Sequence, residues 1–224
     1  MSYVSEEELK NFLGRDLKDT YGRKIGRIIG LCIDDFGELK ALQVEHGSGN
    51  LGQYSCENIV IDRDSVVLIP DWKVSSELIQ KELDRVARRI QALGELLKDR
   101  QIPTNIYEEL RRKQGTTLAE LRRRKQELGE NLRKRMSEID HQVDELIRFL
   151  VNVKMEYKAG IVDDKALTIA CDAIEPNLNP LIEEKKDIAS VIERIERPST
   201  ETVERPVPQA PPKADEPIVL QLEG

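Results

Sequence analysis

The sequence is poor in aromatic residues and contains no long apolar run. Aromatic side chains make up 4% of its 224 residues, whereas charged side chains make up 34%. No stretch of about 18 apolar residues is present, and the first residues are polar where a signal peptide would be apolar. This composition is typical of long solvated helices with small domains attached, and it disfavours one large core. We therefore expect a cytoplasmic protein that meets a membrane only at its surface.

Cysteine and histidine are also scarce, and no catalytic motif is present. Cys32, Cys56 and Cys171 have neither the spacing of a metal site nor the even number of a disulfide framework, which indicates a reducing compartment. His46 lies in a glycine-rich loop without a second histidine, a cysteine or a paired acid nearby in the sequence, so we interpret it as a loop histidine rather than a catalytic base. Phosphate-binding, dinucleotide-binding and zinc-binding motifs are missing. The sequence predicts no cofactor, no metal site and no enzymatic activity.

Short apolar segments separated by turn residues occupy the first 72 residues. Glycine and aspartate mark the turns, and Pro70 ends the last segment because proline cannot donate a hydrogen bond to a β-ladder. Five or six short strands in roughly 60 residues predict a small curled sheet or barrel. The clearest expected strands are residues 24–33, 39–45, 59–61 and 66–69.

Four stretches of this region resemble the PRC-barrel family: residues 13–17, 19–26, 35–37 and 64–68. The glycines in them suit turns that need a positive φ, and Gly26 is expected to relieve crowding in a tightly curled strand. Members of that family occur in ribosome maturation factors, in photosynthetic reaction-centre subunits and in archaeal cell-division proteins. The resemblance implies a small β-barrel whose role is to dock another protein.

A heptad pattern follows the β region. Between residues 79 and 97, apolar residues are spaced 4, 3, 4, 3 and 4 apart, and the residues between them are mostly charged or polar. This spacing places a narrow apolar stripe on one side of a helix, too thin to cover a globular core, so a partner helix is required. The stripe predicts a coiled-coil seam for oligomerisation, unless a hairpin within the chain covers it. Its members are Ile79, Leu83, Val86, Ile90, Leu93 and Leu97.

Capping and breaking residues divide the helical region, residues 73–197. The first helix is expected to end before Pro103, because the residue preceding a proline disfavours helix. Gly115 is expected to interrupt the next helix. Thr117 with Glu120 forms a capping box, which would start the longest helix of the chain.

A tight turn is expected at the end of that longest helix. Gly160 suits the left-handed residue that follows a helix C-terminus, and Asp163 can cap a return helix. A short turn between two heptad helices predicts an antiparallel hairpin. Pro176 and Pro180 fall inside the return helix, and Asn179 before Pro180 predicts a kink or a restart there.

A strongly basic run lies in the longest predicted helix, although the chain as a whole carries a net charge of −7. One interpretation is a solvated helix face whose charges pair with acids three or four residues away. A surface for anionic membrane lipid or for nucleic acid is the functional alternative, and the lack of aromatics among the basic residues argues against base stacking. The sequence leaves these interpretations open. The residues are Arg122, Arg123, Arg124, Lys125, Arg133, Lys134 and Arg135.

Residues 198–224 combine a proline-rich segment with an apolar end. Proline, charged and small residues dominate as far as Asp215, so no core can form there and we expect disorder. A β-prone stretch follows, in which Ile218, Leu220 and Leu222 would share one face of a strand. Adding this strand to a partner's sheet is a recurring solution for such a segment. Docking on the protein's own barrel is the alternative.

The order of these parts resembles the CdvA family of archaeal cell-division proteins over essentially the whole chain. In that family the tail is an ESCRT-III-binding peptide, which adds a strand to the winged-helix domain of CdvB and recruits CdvB polymers to the membrane at the division site. The prolines upstream are similar to peptides bound by the microtubule-interacting-and-trafficking domains of the division ATPase, so the resemblance leaves open which partner takes which part of the tail. The positions that match the CdvB-binding peptide are Ile218, Val219, Leu220 and Leu222.

These observations predict an α+β protein with a PRC-like β-barrel at residues 1–72, a coiled-coil region at residues 73–197 and a disordered tail at residues 198–224. We expect a non-enzymatic scaffold that forms a homo-oligomer or filament through its coiled coil. It would lie peripheral to the membrane at the division site and recruit CdvB there. The alternative is a PRC-barrel adaptor in RNA or ribosome assembly.

Overall fold

The structure, a computed structural model, describes residues 11–62 and 65–197, and the predicted α+β architecture is confirmed in this part of the chain. Six strands come first and three long helices follow. The strands are β1 (Asp16–Asp19), β2 (Lys24–Ile33), β3 (Leu39–Glu45), β4 (Leu51–Ser55), β5 (Ile59–Asp62) and β6 (Ser65–Leu68), and a 3₁₀ helix (Cys56–Asn58) joins β4 to β5. The helices are α1 (Asp71–Lys98), α2 (Thr104–Lys158) and α3 (Asp164–Glu196).

The described residues form two compact units. The first, which we call the sheet unit, consists of residues 11–75 and 131–192 and holds the β-sheet, the C-terminal half of α2 and most of α3. The second, the coil unit, consists of residues 76–130 and 193–197 and holds most of α1 with the N-terminal half of α2. The predicted division of the chain into three domains remains a prediction.

The six strands form one open sheet in the order β4-β3-β2-β1-β6-β5. Every neighbouring pair is antiparallel except β1 and β6, which run parallel. The two edge strands, β4 and β5, do not pair, so the prediction of a closed barrel was wrong. A 3₁₀ helix stands between the two edge strands. Its backbone groups are used locally, because Ser55 Oγ accepts from the Glu57 amide and the Ile59 amide donates to the Cys56 carbonyl.

The open sheet nevertheless curls around a common core. Leu17 of β1, Ile28 of β2 and Val44 of β3 are completely buried, and Val66 and Leu68 of β6 join the same cluster. Partly buried side chains from β4 and β5 pack against it. The core therefore draws on all six strands, although the ladder does not close.

Gly26 sits where β2 passes close to β3. A Cβ atom at this position would lie 2.3 Å from the carbonyl oxygen of Glu45 and 2.6 Å from Cγ1 of Val44. Real Cβ atoms do not approach backbone so closely, so only glycine fits there without a shift of the strands. The interpretation that Gly26 relieves crowding is confirmed.

α1 begins at Asp71 because the Pro70 carbonyl accepts a hydrogen bond from the Lys73 amide at 2.9 Å. It ends at Lys98, and the predicted break before Pro103 is confirmed. Arg100 closes the helix with a φ of 55°. In this left-handed conformation the chain can turn back, and the Gln101 amide donates to the Leu96 carbonyl at 2.9 Å.

α2 runs without interruption through Gly115, so the predicted break and restart were wrong. The hydroxyl of Thr117 donates to the Lys113 carbonyl at 3.2 Å, one turn earlier, instead of accepting a hydrogen bond as a cap would. Glycine inside a helix costs only about 1 kcal/mol relative to alanine. That cost is too small to end a helix whose side chains are buried on either side of Gly115, at Tyr107 and Leu121.

The turn after α2 agrees with its prediction. Gly160 has a φ of 73°, and the Ile161 amide donates to the Glu156 carbonyl across it at 3.0 Å. Asp163 Oδ1 accepts from the Ala166 amide at 2.8 Å, so the predicted cap of the return helix is confirmed.

α3 continues through Pro176 and Pro180, and the predicted restart was wrong. Each proline removes one donor to the carbonyl four residues earlier, which leaves the carbonyls of Asp172 and Pro176 without that bond. Both of these residues are exposed, so water can satisfy the two carbonyls. The helix can therefore absorb both prolines.

Candidate functional site: the coiled-coil surfaces and an ionic junction

The predicted coiled-coil seam is covered within the chain in the coil unit. Leu83, Val86 and Ile90 of α1 are buried in a cluster with Leu121 of α2, and Leu118 packs against the same cluster. Ile79 is partly buried there as well, whereas the last two predicted seam residues, Leu93 and Leu97, are half-buried outside this cluster. A hairpin thus gives part of the seam the partner helix that its width requires.

The sheet unit contains a second helix pair, made of the C-terminal half of α2 and α3. Leu132 and Ile139 of α2 and Ile188 of α3 are almost or completely buried. Asp140 of α2 pairs with Lys185 of α3. Because the turn at Gly160 joins the helices, this contact lays them antiparallel, as the heptad pattern predicts.

Glu184 is the centre of an ion-pair cluster that joins the β-sheet to both helices of the sheet unit. Its side chain is 4% exposed, and Arg23, from the turn between β1 and β2, lies 2.7 Å from it. Arg135 of α2 donates to both carboxylate oxygens, at 2.9 and 3.0 Å. Asp19, also buried, holds Arg23 from the other side at 2.6 Å. We call these four residues and the three described next the ionic junction.

Asp187, one turn further along α3, makes the second half of this junction. The Tyr21 hydroxyl donates to it at 3.1 Å and the Lys73 ammonium group at 2.5 Å. Lys73 also lies 5.2 Å from the centre of the Tyr21 ring, a distance suited to a cation–π contact. These contacts join the β1–β2 turn, the first turn of α1 and α3 within the sheet unit.

The junction lowers the pKa values of two of its carboxyl groups, those of Glu184 and Asp187. Burial of the Glu184 carboxyl acts to raise its pKa, but the hydrogen bonds and charges of Arg135 and Arg23 outweigh burial and hold the pKa below its usual range. The hydrogen bond from Lys73 likewise lowers the pKa of Asp187. Burial and the negative charge of Asp187 raise the pKa of the Tyr21 hydroxyl. At neutral pH the carboxyl groups of Glu184 and Asp187 are therefore charged and the Tyr21 hydroxyl is neutral.

Sequence reasoning did not find the ionic junction. Its contacts join residues far apart in the chain: Tyr21 and Asp187 are separated by 166 positions, and Arg135 and Glu184 by 49. The only local signal is the pairing of Asp19 with Arg23 across the β1–β2 turn.

The predicted basic run divides between two environments. Arg123 pairs with Glu120 at 2.9 Å and with Glu127, and Arg124 pairs with Glu120 at 3.0 Å. The hydrogen bonds from the two arginines lower the pKa of Glu120 to about 2. Arg135, by contrast, belongs to the ionic junction. These contacts favour the interpretation of a solvated face paired with acids for the first part of the run.

His46 has a structural role in its loop. Its Nδ1 atom lies 3.0 Å from the Ile25 carbonyl oxygen, which can only accept, so Nδ1 is the donor. Its Nε2 atom then accepts from the Tyr54 hydroxyl at 3.2 Å. Both ring nitrogens are thus engaged, and a Cβ atom at Gly52 would lie 2.3 Å from Nε2. This arrangement locks the β3–β4 loop.

Residues 11–62 and 65–197 contain neither a metal-binding cluster nor a membrane-spanning helix. No cluster of histidine, cysteine and acidic residues in this part could hold a metal ion. No helix among these residues is long and apolar enough to cross a membrane.

The family model described as the CdvA-like coiled-coil domain matches residues 71–217, about two thirds of the chain. The chain belongs to the CdvA-like family. The matched CdvA-like domain begins at Asp71, the residue at which α1 begins, and includes all three helices.

A relative supports the CdvA-like assignment over a longer stretch. The protein named Cell division protein A of Sulfolobus acidocaldarius is 27% identical over 201 residues, which covers 90% of this chain and 84% of that protein. No solved structure matches the chain. The predicted partner-binding residues Ile218, Val219, Leu220 and Leu222 lie outside the residues that the structure describes.

Proposed function

We propose that this protein is a non-enzymatic cell-division scaffold, which self-assembles through its coiled coil and recruits an ESCRT-III-like CdvB protein to the membrane at the division site. The observation that carries the proposal is the match of the CdvA-like coiled-coil domain to residues 71–217, whose three helices form two helix pairs. The name of the Sulfolobus relative, Cell division protein A, supplies the process.

Self-assembly is supported by the apolar surfaces of the helices. Within the coil unit, α1 and α2 cover part of their seams, but Leu78, Leu96, Ile106 and Leu110 remain exposed. Two-helix pairs rarely satisfy their apolar faces alone, and association into larger bundles is their usual solution. Because the seam centred on Val86 is internal, changing it would unfold the hairpin before it changed assembly.

Recruitment is assigned to the tail, residues 198–224, with Ile218, Leu220 and Leu222 on the binding face. Burying three such side chains gives roughly 5–9 kcal/mol of gross stabilisation. Ordering a flexible segment costs about 2–5 kcal/mol, association costs at least about 4, and the backbone hydrogen bonds of an added strand return about 1 kcal/mol each. With about five such hydrogen bonds the balance reaches at most about −8 kcal/mol, so we expect binding that is micromolar rather than nanomolar. Weak binding by single tails suits a polymer in which many tails act together.

Membrane contact is assigned to the basic run. Arg123 and Arg124 already have acidic partners, so this contact would be weak, electrostatic and sensitive to salt. Changing Arg122, Arg123 and Arg124 to glutamate should abolish co-sedimentation with anionic liposomes. Unchanged co-sedimentation would exclude this site. The same acidic partners weaken the case for an adaptor in RNA or ribosome assembly.

Calorimetry tests the recruiting step. A peptide of residues 206–224 is titrated with the winged-helix domain of CdvB, and micromolar binding is expected. Leu220→Asp should abolish binding because it places a charge on the buried face. Gln221→Ala is the matched control on the opposite face and should matter little. Equal losses from both changes, or full binding by a chain that ends at Asp215, would refute the assignment.

A further inference from the structure

The distal half of the α2–α3 hairpin leaves apolar surface exposed. Ile147, Val151 and Met155 of α2 are 45%, 57% and 56% exposed. Because they are spaced four residues apart, they lie in a row along one face of the helix. We call them the apolar row. Exposed apolar side chains arranged in a row on a helix are typical of a helix that packs against another helix.

The position of the apolar row on the hairpin follows from the ion pairs. Asp140 lies seven residues before Ile147 and therefore shares its face, and Asp140 pairs with Lys185 of α3. Ile182, three residues before Lys185 and 40% exposed, continues the same side on α3. The β-sheet is held on a different side, through Glu184. The row therefore lies on a side of the hairpin that the ionic junction does not use.

The seam between the two helices is also incompletely covered at this end. Leu132 and Ile139, in the part near the sheet, are almost completely buried. Leu146, Leu150 and Val153, further along α2, are only half-buried. The hairpin alone thus covers its seam near the sheet and not near the turn, which indicates that further helices pack at the distal end.

The charges beside the row are arranged symmetrically about Val151. Asp144 lies seven residues before it and Lys158 seven residues after it, so both share its face. An antiparallel pair of these helices, centred on Val151, brings Asp144 of each copy opposite Lys158 of the other. Arg148 and Lys154 lie about 120° apart around the helix, on opposite flanks of the row, so the same pairing keeps them apart.

We propose that the apolar row is a self-association surface, on which the hairpin of a second copy packs antiparallel to form a four-helix bundle. The proposal rests on the self-assembly part of the proposed function and names its surface. A two-fold contact of this kind needs a patch that is complementary to itself, and the order acid, three apolar residues, base is complementary to its own reverse.

The exposed area is sufficient for such a contact. The row and Ile182 together expose on the order of 400 Å² of apolar surface, the size of the largest patch on an ordinary monomer. Two copies would bury about twice this area, and because apolar atoms form roughly 60% of an interface, the whole contact would cover about 1,300 Å². Stable interfaces bury about 1,200–2,000 Å².

Sedimentation velocity of the full chain over a range of concentrations tests the proposal. Val151→Asp should weaken association by more than about 100-fold, because each dimer then buries two unpaired charges at its centre. Ile169→Asp is the matched control. Ile169 of α3 is 61% exposed but lies thirteen residues from Ile182, about 140° around the helix. This variant should associate like the native chain.

Charge reversal tests the antiparallel arrangement. Lys158→Glu or Asp144→Lys alone should weaken association about fivefold, through two lost surface ion pairs per dimer. The double variant should recover native association, because it re-forms both pairs with reversed signs. A double variant no tighter than the single variants would overturn the antiparallel arrangement.

The remaining outcomes separate this proposal from the proposed function. If Val151→Asp and native chain associate equally, the row is not the interface, whereas self-assembly through another surface stands. A native chain that stays monomeric at all concentrations overturns both this proposal and the self-assembly part of the proposed function. If the Val151→Asp variant forms an oligomer of the same mass as the native chain but no longer floats with liposomes of anionic phospholipid, the row contacts lipid and the proposal fails.

Discussion

Glu184→Gln is the change that most directly probes the ionic junction. The carboxylate accepts charged hydrogen bonds from Arg23 at 2.7 Å and from Arg135 at 2.9 and 3.0 Å. A charge-assisted hydrogen bond contributes about 1.5–3 kcal/mol, but the arginine side chains are 26% and 32% exposed and regain water when the charge is lost. We therefore expect a loss of about 2 kcal/mol rather than the sum of the bonds.

That loss should lower the melting temperature of the sheet unit by about 4–8 °C, since 1 kcal/mol corresponds to about 2–4 °C for a domain of this size. Trp72, the one tryptophan of the sequence, lies in the sheet unit, so its fluorescence reports on this unit. Glu183→Gln is the matched control. Glu183 is exposed and, among the described residues, pairs with Lys186 on its own helix, so this variant should lose at most about 0.5 kcal/mol of stability. Equal melting temperatures for Glu184→Gln and Glu183→Gln would refute the reasoning.

The effect of Glu184→Gln should also depend on pH. The pKa of Glu184 is lower in the folded than in the unfolded protein, so the charged group stabilises the fold above its ordinary pKa of 4.5. This stabilisation is lost as the pH falls through the lower folded value. The difference in melting temperature between the native protein and the variant should therefore be largest at pH 7 and become smaller below pH 4.5. A difference that stays constant down to strongly acidic pH would contradict the assigned charge.

Three further changes test single positions by urea denaturation. Gly26→Ala should lower the free energy of unfolding by at least about 1–3 kcal/mol, because the new Cβ atom would meet the Glu45 carbonyl. Native-like stability would disprove the close approach of the two strands. Gly115→Ala should raise the free energy of unfolding by about 0.5–1 kcal/mol, because it removes a flexible residue from a helix interior with open space around it. A lower stability would mean that α2 bends at this residue. Arg100→Gly should stabilise by about 1 kcal/mol, because it relieves the left-handed backbone of a non-glycine residue, and an unchanged midpoint would argue against that conformation.

The elements that were predictable are those set by local sequence. The strands at residues 24–33 and 39–45 agree with β2 and β3 at both ends, because turn residues flank each apolar stretch. The turn at Gly160 and the cap at Asp163 also follow from single residues with a specific backbone role. Such features depend on single residues and their immediate neighbours, so they can be predicted from the sequence.

The errors arose where packing outweighs a local preference. Gly115 and Pro180 are helix breakers by propensity, yet α2 and α3 run through them, because the heptad side chains on either side hold each helix against its neighbour. Closure of the barrel depended on whether β4 and β5 pair, which no pattern within either strand decides. No sequence pattern around Glu184 marks it as part of the ionic junction. Only the fold brings Arg23 and Arg135 to it.

The central claim, an assembling scaffold that carries its recruiting segment in the tail, is tested most directly by one sedimentation experiment. The winged-helix domain of CdvB is labelled with a fluorophore and followed alone, with the full chain, and with a chain that ends at Asp215. The account predicts that the labelled domain sediments with the oligomer of the full chain and remains slow with the shortened chain, although both chains form oligomers of similar size. A labelled domain that remains slow with the full chain, or that sediments equally with both, would contradict it.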